Sequence, residues 1–230
     1  MHDFFVSSVF FSVLICVLTY EFGIFLKKKT GLALCNPLLI SIALVILILS
    51  VFRIPYEAFY SGAAYLSDML TPATVCLALP LYEKVRLLKH NWKAIMAGIC
   101  GGVFCGLFSI LGFCLLFRLP RELYISLLPK SITTAIGLGI SAELGGIPTI
   151  SASLIIITGV FGNVIAESAL KFFCIRDPIA KGIAIGTSSH AAGTAKAMEM
   201  GETEGAMSSL AIVLAGIITV AAASVFAGMR

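Results

Sequence analysis

The sequence predicts an all-α protein, a polytopic transmembrane helical bundle with broken or re-entrant helices and an internal repeat. Of its 230 residues, 59% are hydrophobic and only 12% are charged, whereas an average soluble domain has about 25% charged residues. A soluble fold this apolar would have little polar surface to present to water, so we expect much of its surface to contact membrane lipid. The length is typical of one compact bundle, and residues 1–230 are predicted to form a single integral membrane domain.

Intact membrane spans are predicted where an apolar run approaches the roughly 20 residues that cross a bilayer. These runs are residues 4–26, 37–52, 94–117, 148–170 and 209–226. Lys27, Lys28 and Lys29 follow the first run, which places the N-terminus outside by the positive-inside rule and does not resemble a cleavable signal peptide. The basic stretch from Lys84 to Lys93 is predicted to be a cytoplasmic loop.

Three further apolar segments contain helix breakers, at residues 60–82, 123–144 and 182–200. The first contains Pro72, the second contains Pro129, and the third is rich in Gly, Ser and Thr. Aligning Pro72 with Pro129 also places Gly102 on Gly159, which suggests a duplicated unit of one broken helix followed by one intact helix. The units would cover residues 60–117 and 118–174, with a weaker third copy at 175–230. Whether these segments cross the membrane or re-enter is open, although the positive-inside rule favours re-entry of residues 123–144.

Broken helices are the segments most suited to bind a solute. Unpaired backbone groups are costly in lipid, so such breaks are found where protein or a water-filled cavity covers them. The N-terminus of a half-helix attracts anions, and interrupted segments at matching positions of a repeat point to the binding site of a transporter. The sequence therefore predicts a small-anion site where the broken segments meet.

The second broken segment supplies the candidate residues Pro129, Lys130, Ser131, Thr133 and Thr134. A lysine at the bilayer centre costs about 2.5–3.5 kcal/mol on insertion scales unless it reaches the interface or finds a partner. We therefore interpret Lys130 as a cation for an anionic substrate, with the hydroxyls as hydrogen-bond donors. The alternative is a lysine that extends to the interface and hydroxyls that only cap a helix.

The third broken segment supplies most of the remaining candidates. They are Thr187, Ser188, Ser189, His190, Gly193 and Thr194, together with Asn163 in the fourth intact span and Pro72 and Thr74 in the earlier repeat copy. His190 could titrate near neutral pH and couple transport to protons, or it could be a structural group. Glu143 could face the cavity or bond between helices, and Glu199, Glu202 and Glu204 are expected in a solvated loop.

Other classes of function are disfavoured. Lys130 and Ser131, like Ser189 and His190, are sequence neighbours, whose side chains diverge on a helix, so no nucleophile–base pair is evident and no enzyme is predicted. No second metal ligand stands at helical spacing from His190, so neither a metal nor another cofactor is expected. A net charge of +4 is too small to suggest nucleic acid.

One face of the third intact span is expected to pack closely against another helix. Gly98, Gly102 and Gly106 recur at four-residue spacing, which lets backbones approach each other. This face could lie within the bundle or form the interface of a homodimer.

Several motifs resemble those of the LrgB/CidB family of bacterial membrane proteins. They are YLSDMLTPATVCLALPLY (65–82), PKSITTAI (129–136), GGIP (145–148) and IRDPIAKGIAIGTSSHAAGTAKA (175–197). The chain departs from the family pattern at Ala135, where a proline is expected, and at Ala191 and Ala192, where glycine is more common. The resemblance covers nearly the whole chain and implies a multi-pass protein of the bacterial inner membrane.

The resemblance implies two competing functions. One is transport of small carboxylates such as pyruvate, or glycolate and glycerate as in the related plastid translocator. The other is a holin- or antiholin-like pore that modulates murein hydrolase export and autolysis, with a small LrgA/CidA-like partner. Broken helices that carry Lys, Ser, Thr and His favour transport, because pore formation by aggregation needs no such constellation.

Overall fold

The computed structural model describes residues 9–30, 36–69, 72, 75, 76 and 78–230, and it confirms the predicted all-α class. These residues form helices without any strand. The chain divides into two compact units, Met1–Cys76 and Leu77–Arg230. The first unit contains α1 (Val9–Thr30), α2 (Pro37–Val51) and α3 (Tyr56–Asp68). The second contains α4 (Ala78–Glu83), α5 (Val85–Leu116), α6 (Arg121–Leu127), α7 (Thr134–Leu144), α8 (Pro148–Phe172), α9 (Pro178–Met200) and α10 (Glu202–Ala227).

Within the described residues, four helices are long and apolar enough to cross a membrane: α1, α5, α8 and α10. They correspond to four of the five predicted intact spans. The remaining one, residues 37–52, corresponds to α2, which has 15 residues and is therefore about 22 Å long. The hydrocarbon core of a bilayer is about 30 Å thick, so α2 is short for a span.

The prediction of a basic loop from Lys84 to Lys93 is wrong, because α5 begins at Val85. α5 has 32 residues and is therefore about 48 Å long, well beyond the thickness of the hydrocarbon. Its first turns can carry charged side chains into water while the backbone stays helical. The charged side chains therefore lie in the part of α5 that extends beyond the lipid, and the chain turns just before α5 begins.

The first unit is held by polar contacts between its apolar helices. The Ser12 hydroxyl on α1 donates to the Phe59 carbonyl of α3 at 2.9 Å, and the Thr19 and Ser41 hydroxyls join α1 to α2, also at 2.9 Å. Asn36 is the N-cap residue of α2, and its side chain accepts from the Leu38 N–H at 2.9 Å. Interhelical hydrogen bonds of this kind are a common means of holding apolar helices together in lipid.

In the second unit, α6 and α7 form a hairpin, called hairpin one below (residues 121–144). The arms are tied together through α8, because the Ser151 hydroxyl lies 3.0 Å from the Ser126 carbonyl of α6 and 2.7 Å from the Ser141 hydroxyl of α7. The tip is the non-helical segment 128–133, where Pro129 packs against Gly137 of the returning arm. The chain thus leaves the tip on the side from which it entered, as the prediction of re-entry requires.

α9 forms a second hairpin, called hairpin two below (residues 178–200). Its helix is interrupted at His190, which has φ 39° and ψ −135°. Gly182 in the first arm lies against Glu204, and Met198 in the second arm lies against Gly205. Both arms therefore return to the first turns of α10, and His190 lies at the tip between them.

The two hairpins enter the second unit from opposite ends. Hairpin two has its base where α10 begins, and the Lys84–Glu202 ion pair at 3.2 Å brings the start of α5 to that same end. Hairpin one has its base where α10 ends, because the Tyr124 hydroxyl donates to the Phe226 carbonyl at 2.8 Å. The end where α10 begins also carries Lys171, Arg176 and Lys181 and is called the basic end below. The tips of the two hairpins approach each other near the middle of the unit. The sequence repeat itself stays a prediction.

Candidate anion-binding site

The tips of the two hairpins share a cavity of about 310 Å³. Lys130 from hairpin one lines it together with Ser188 and Ser189 from hairpin two. The remaining walls are mostly apolar and come from α8, including Thr158 and Gly162, and from Ala184 and Ile185 of hairpin two. Residues 58 positions apart in sequence are thus brought to one cavity, because both hairpins stop halfway along α8.

Lys130 brings a positive charge to this cavity. Its side chain is half-buried, and Nζ donates to the Ser131 hydroxyl at 3.1 Å. Within the part of the chain that the structure describes, it forms no ion pair with a carboxylate. An ammonium group without a carboxylate partner in a partly desolvated cavity is suited to attract an anion.

Ser188 and Ser189 supply hydroxyls on the opposite side of the cavity. The Ser188 hydroxyl donates to the Ala184 carbonyl at 2.7 Å, and its oxygen lies 3.0 Å from that of Ser189. Since the Ser188 hydrogen is directed to the backbone, Ser189 is the donor in the serine pair. A substrate oxygen could take the place of Ser188 as acceptor for the Ser189 hydrogen.

α8 holds the tip of hairpin two in position. His190 Nε2 lies 3.0 Å from the Ile155 carbonyl, and because a carbonyl only accepts, Nε2 is the donor in this bond. The Asn163 amide donates to the Ala192 carbonyl at 2.5 Å. Gly159 faces the His190 ring, and Gly162 faces Ser189 so closely that a Cβ there would overlap the serine hydroxyl. One face of α8 thus fixes both sides of the break.

Several predicted site residues lie against other helices. The buried Thr187 donates to the Ile183 carbonyl at 2.8 Å and faces Gly102 of α5. The buried Thr194 lies 2.7 Å from the Ser208 hydroxyl of α10 and donates to the His190 carbonyl at 2.9 Å. Gly193 packs behind Ser189, inside the hairpin. These residues shape hairpin two, and their hydroxyls have partners within the protein.

The remaining predicted residues divide between the two units. Thr133 is the N-cap residue of α7, and Thr134 begins that helix. Pro72 belongs to the first unit and is exposed, and Thr74 lies outside the described residues, so the assignment of both to the site stays a prediction. Glu143 is exposed on α7.

The predicted glycine face packs inside the second unit. Gly98 faces Ile183 and Gly102 faces Thr187, both on the first arm of hairpin two, whereas no described residue lies within 4 Å of a Cβ built at Gly106. Two of the three glycines therefore provide close contact between α5 and α9. A homodimer stays a prediction.

Sequence reasoning missed a set of ion pairs at the base of hairpin two. Lys196 is 8% exposed and lies 2.6 Å from Glu167 of α8 and 3.0 Å from Glu199. Lys181 lies 3.8 Å from Glu204. The only available signal was the presence of Glu167 and Lys196 within segments that are otherwise apolar or small.

The expectation that Glu199, Glu202 and Glu204 form a solvated loop is wrong. Glu199 is in the last turn of α9, and Glu202 and Glu204 are in the first turn of α10, with Gly201 alone between the helices. Glu204 is 8% exposed. An acidic residue in the first turn of a helix is favoured by the helix dipole, and this explains how a carboxylate can be buried there.

The fold and the cavity define an α-helical integral membrane protein in which two opposed re-entrant hairpins meet at a cavity that holds Lys130, Ser188 and Ser189 among apolar side chains. The LrgB-like family model matches residues 16–229, and the protein belongs to this family. No solved structure matches the chain.

Proposed function

We propose that this LrgB-like protein transports small monocarboxylates, such as pyruvate or glycolate, across the bacterial inner membrane. The observation that carries the proposal is the position of Lys130 in a cavity between two opposed hairpin tips, without an ion pair to any described carboxylate. Irregular backbone at membrane depth is tolerated where it lines a cavity, and transporters place their substrates at such broken helices.

The size and chemistry of the cavity suit a short acid. A volume of about 310 Å³ corresponds to about ten water molecules at about 30 Å³ each, so an acid of two or three carbons fits with some of its hydration. Lys130 would pair with the carboxylate, and Ser189 would donate to a second oxygen. Both interactions are charge-assisted hydrogen bonds when the substrate is ionised.

The opposed hairpins also suit alternating access. Each hairpin covers the cavity from one end, and each has its base at a different end of the unit. Movement of one hairpin at a time would open the cavity to one side only. The basic end would face the cytoplasm, because it carries most of the Lys and Arg residues of the second unit.

The test is uptake of labelled pyruvate and glycolate into liposomes that contain the purified protein, at two external pH values. Lys130→Met should raise the KM of saturable uptake by about tenfold to a hundredfold, since it removes a charge-assisted hydrogen bond of about 1.5–3 kcal/mol. Lys130→Arg should retain part of the activity. Lys89→Met, which removes an exposed lysine of α5, is the matched control and should behave as the wild type.

The same experiment separates transport from the holin-like alternative. A pore would release unrelated solutes without saturation, and Lys130→Met would leave that leak unchanged. Equal saturable uptake by all four proteins would show that Lys130 is not the substrate cation. The link to autolysis and the small LrgA/CidA-like partner are expectations that the resemblance alone supports.

A further inference from the structure

A second cavity, called the vestibule below, lies at the base of hairpin two. Its volume is about 500 Å³. It is formed by the end of α8, the turn into α9, and the residues around the junction of α9 and α10. It is lined by Glu167, Leu170, Lys171, Cys174, Ile175, Arg176, Lys181, Met200 and Glu204. The vestibule is thus at the basic end of the unit, where an ion would arrive from water.

The cations of the vestibule differ in what they already bind. Lys171 lies 3.8 Å from Glu167, and Lys181 lies 3.8 Å from Glu204. Arg176 is exposed and has no carboxylate within ion-pair distance among the described residues. The two carboxylates are thus each engaged by a lysine, while the guanidinium group is available to an incoming anion. A guanidinium group matches a carboxylate with two parallel hydrogen bonds.

An apolar cluster separates the vestibule from the cavity that contains Lys130. Leu170 lines both cavities. It packs with Ala166, Ile185 and Ala197, and the partly buried Ile175, Ala184 and Met200 complete this apolar cluster. An anion that enters from this end therefore meets the charged vestibule, then the apolar cluster that contains Leu170, and then the interior cavity.

We infer that the vestibule is an access site for the carboxylate, in which Arg176 binds the anion before it passes Leu170 to reach Lys130. This inference rests on the proposed function. Arg176 raises the local concentration of the anion at the basic end, and Lys130 holds it between the hairpin tips. A charged cleft of this kind increases the rate of association, and salt weakens the effect.

The test uses inverted membrane vesicles from bacteria that express the full chain, because the basic end then faces the medium. Initial rates of labelled pyruvate uptake are measured at low and high ionic strength for wild type, Arg176→Gln, Arg176→Lys and Lys130→Met. The matched control is Arg86→Gln, since Arg86 is an exposed arginine of α5 that does not line the vestibule.

Arg176→Gln should raise KM at low ionic strength by about threefold to tenfold and leave the maximal rate unchanged. The KM of Arg176→Lys should lie between those of the wild type and Arg176→Gln. Salt should raise the KM of the wild type and of Arg86→Gln, and it should have a smaller effect on Arg176→Gln.

Two results would overturn the inference and leave the proposed function standing, provided that the wild type shows saturable uptake and Lys130→Met raises its KM. One is an Arg176→Gln variant whose KM equals that of Arg86→Gln at low ionic strength. The other is a lower maximal rate without a change in KM. If the wild type shows no saturable uptake, or only a leak that Lys130→Met leaves unchanged, the proposed function itself fails. Quantification of each variant in the membrane excludes poor folding as the cause.

Discussion

The two hairpins of the second unit make the same kind of turn by different means. Hairpin one turns over residues 128–133, which include Pro129, and its tip is a local break in the helix. Hairpin two turns at His190, a non-glycine residue at φ 39°, with helix on both sides. A proline cannot continue a helix, whereas a histidine can, so the second break requires support from neighbouring helices.

That support is visible in the contacts of each hairpin. Hairpin one is tied near its base, where the Ser151 hydroxyl bonds to the Ser141 hydroxyl and the Ser126 carbonyl in a buried cluster. Hairpin two is held at its tip by α8, through Gly162 and Asn163, and along its arms by α10. A local break can be secured from a distance, but a break imposed by packing must be held where it occurs. Four substitutions test this difference, in order of decreasing effect.

The largest effect is expected from Gly162→Ala in α8. A Cβ at this position would overlap the Ser189 hydroxyl and lie 2.5 Å from the Ser189 Cβ, so the tip of hairpin two must move. Pyruvate uptake should fall by tenfold or more, on the order of the loss caused by misplacing a binding group by about 1 Å.

Gly101→Ala is the matched control for Gly162→Ala. Among the described residues, no atom lies within 4 Å of a Cβ built at Gly101 of α5, and replacing glycine by alanine within a helix is favourable by about 1 kcal/mol. This variant should transport normally and be no less thermostable than the wild type. If Gly162→Ala transports equally well, α8 does not determine the position of the tip.

The second effect concerns the backbone at His190. His190→Ala removes the hydrogen bond to Ile155 and keeps a side chain at positive φ, which costs about 1–3 kcal/mol. His190→Gly removes the same bond but relieves the backbone. The glycine variant should therefore melt at a higher temperature than the alanine variant in detergent. The reverse order, which is usual within a helix, would contradict the observed turn at His190.

The third effect is loss of the buried hydroxyl at the base of hairpin one. Ser151→Ala leaves the Ser141 hydroxyl and the Ser126 carbonyl without this donor, at a cost of about 1–2 kcal/mol. Unfolding in detergent should occur about 2–8 °C lower, with the KM for pyruvate unchanged. Ser153→Ala should change nothing, because this exposed hydroxyl of the same helix bonds only to the Thr149 carbonyl. Equal melting temperatures for the two variants would show that the serine cluster does not stabilise hairpin one.

The smallest effect is expected from the contact between hairpin two and α10. Thr194→Val keeps the side-chain shape and removes the 2.7 Å contact with the Ser208 hydroxyl. A double-mutant cycle with Ser208→Ala should give a coupling free energy of about 0.5–1.5 kcal/mol, measured by unfolding in detergent. Strictly additive effects would show that α10 does not hold this arm through the hydroxyl pair.

The candidate site was only partly predictable from the sequence. Lys130 could be identified because a lysine beside a proline in an apolar segment has few structural reasons to be there. Ser189 could be listed but not distinguished from Thr187 or Thr194, since all three are hydroxyl residues of one polar segment. The structure separates them by the helix that each one contacts: Thr187 contacts α5, Thr194 contacts α10, and Ser189 lies at the cavity. Which face of a half-helix meets which neighbour depends on glycines far away in sequence.

The sequence by itself determined the all-α membrane fold, the long apolar helices and the existence of interruptions near Pro129 and in residues 182–200. Apolar length and helix breakers are local properties, and a bilayer accepts few other backbone structures. Only the tertiary structure decided that hairpin two turns at His190, that the basic stretch after Lys84 is helical, and that Glu204 and Lys196 are buried in ion pairs. Each of these depends on contacts between helices, and the energy of a contact depends on both partners and their distance in space.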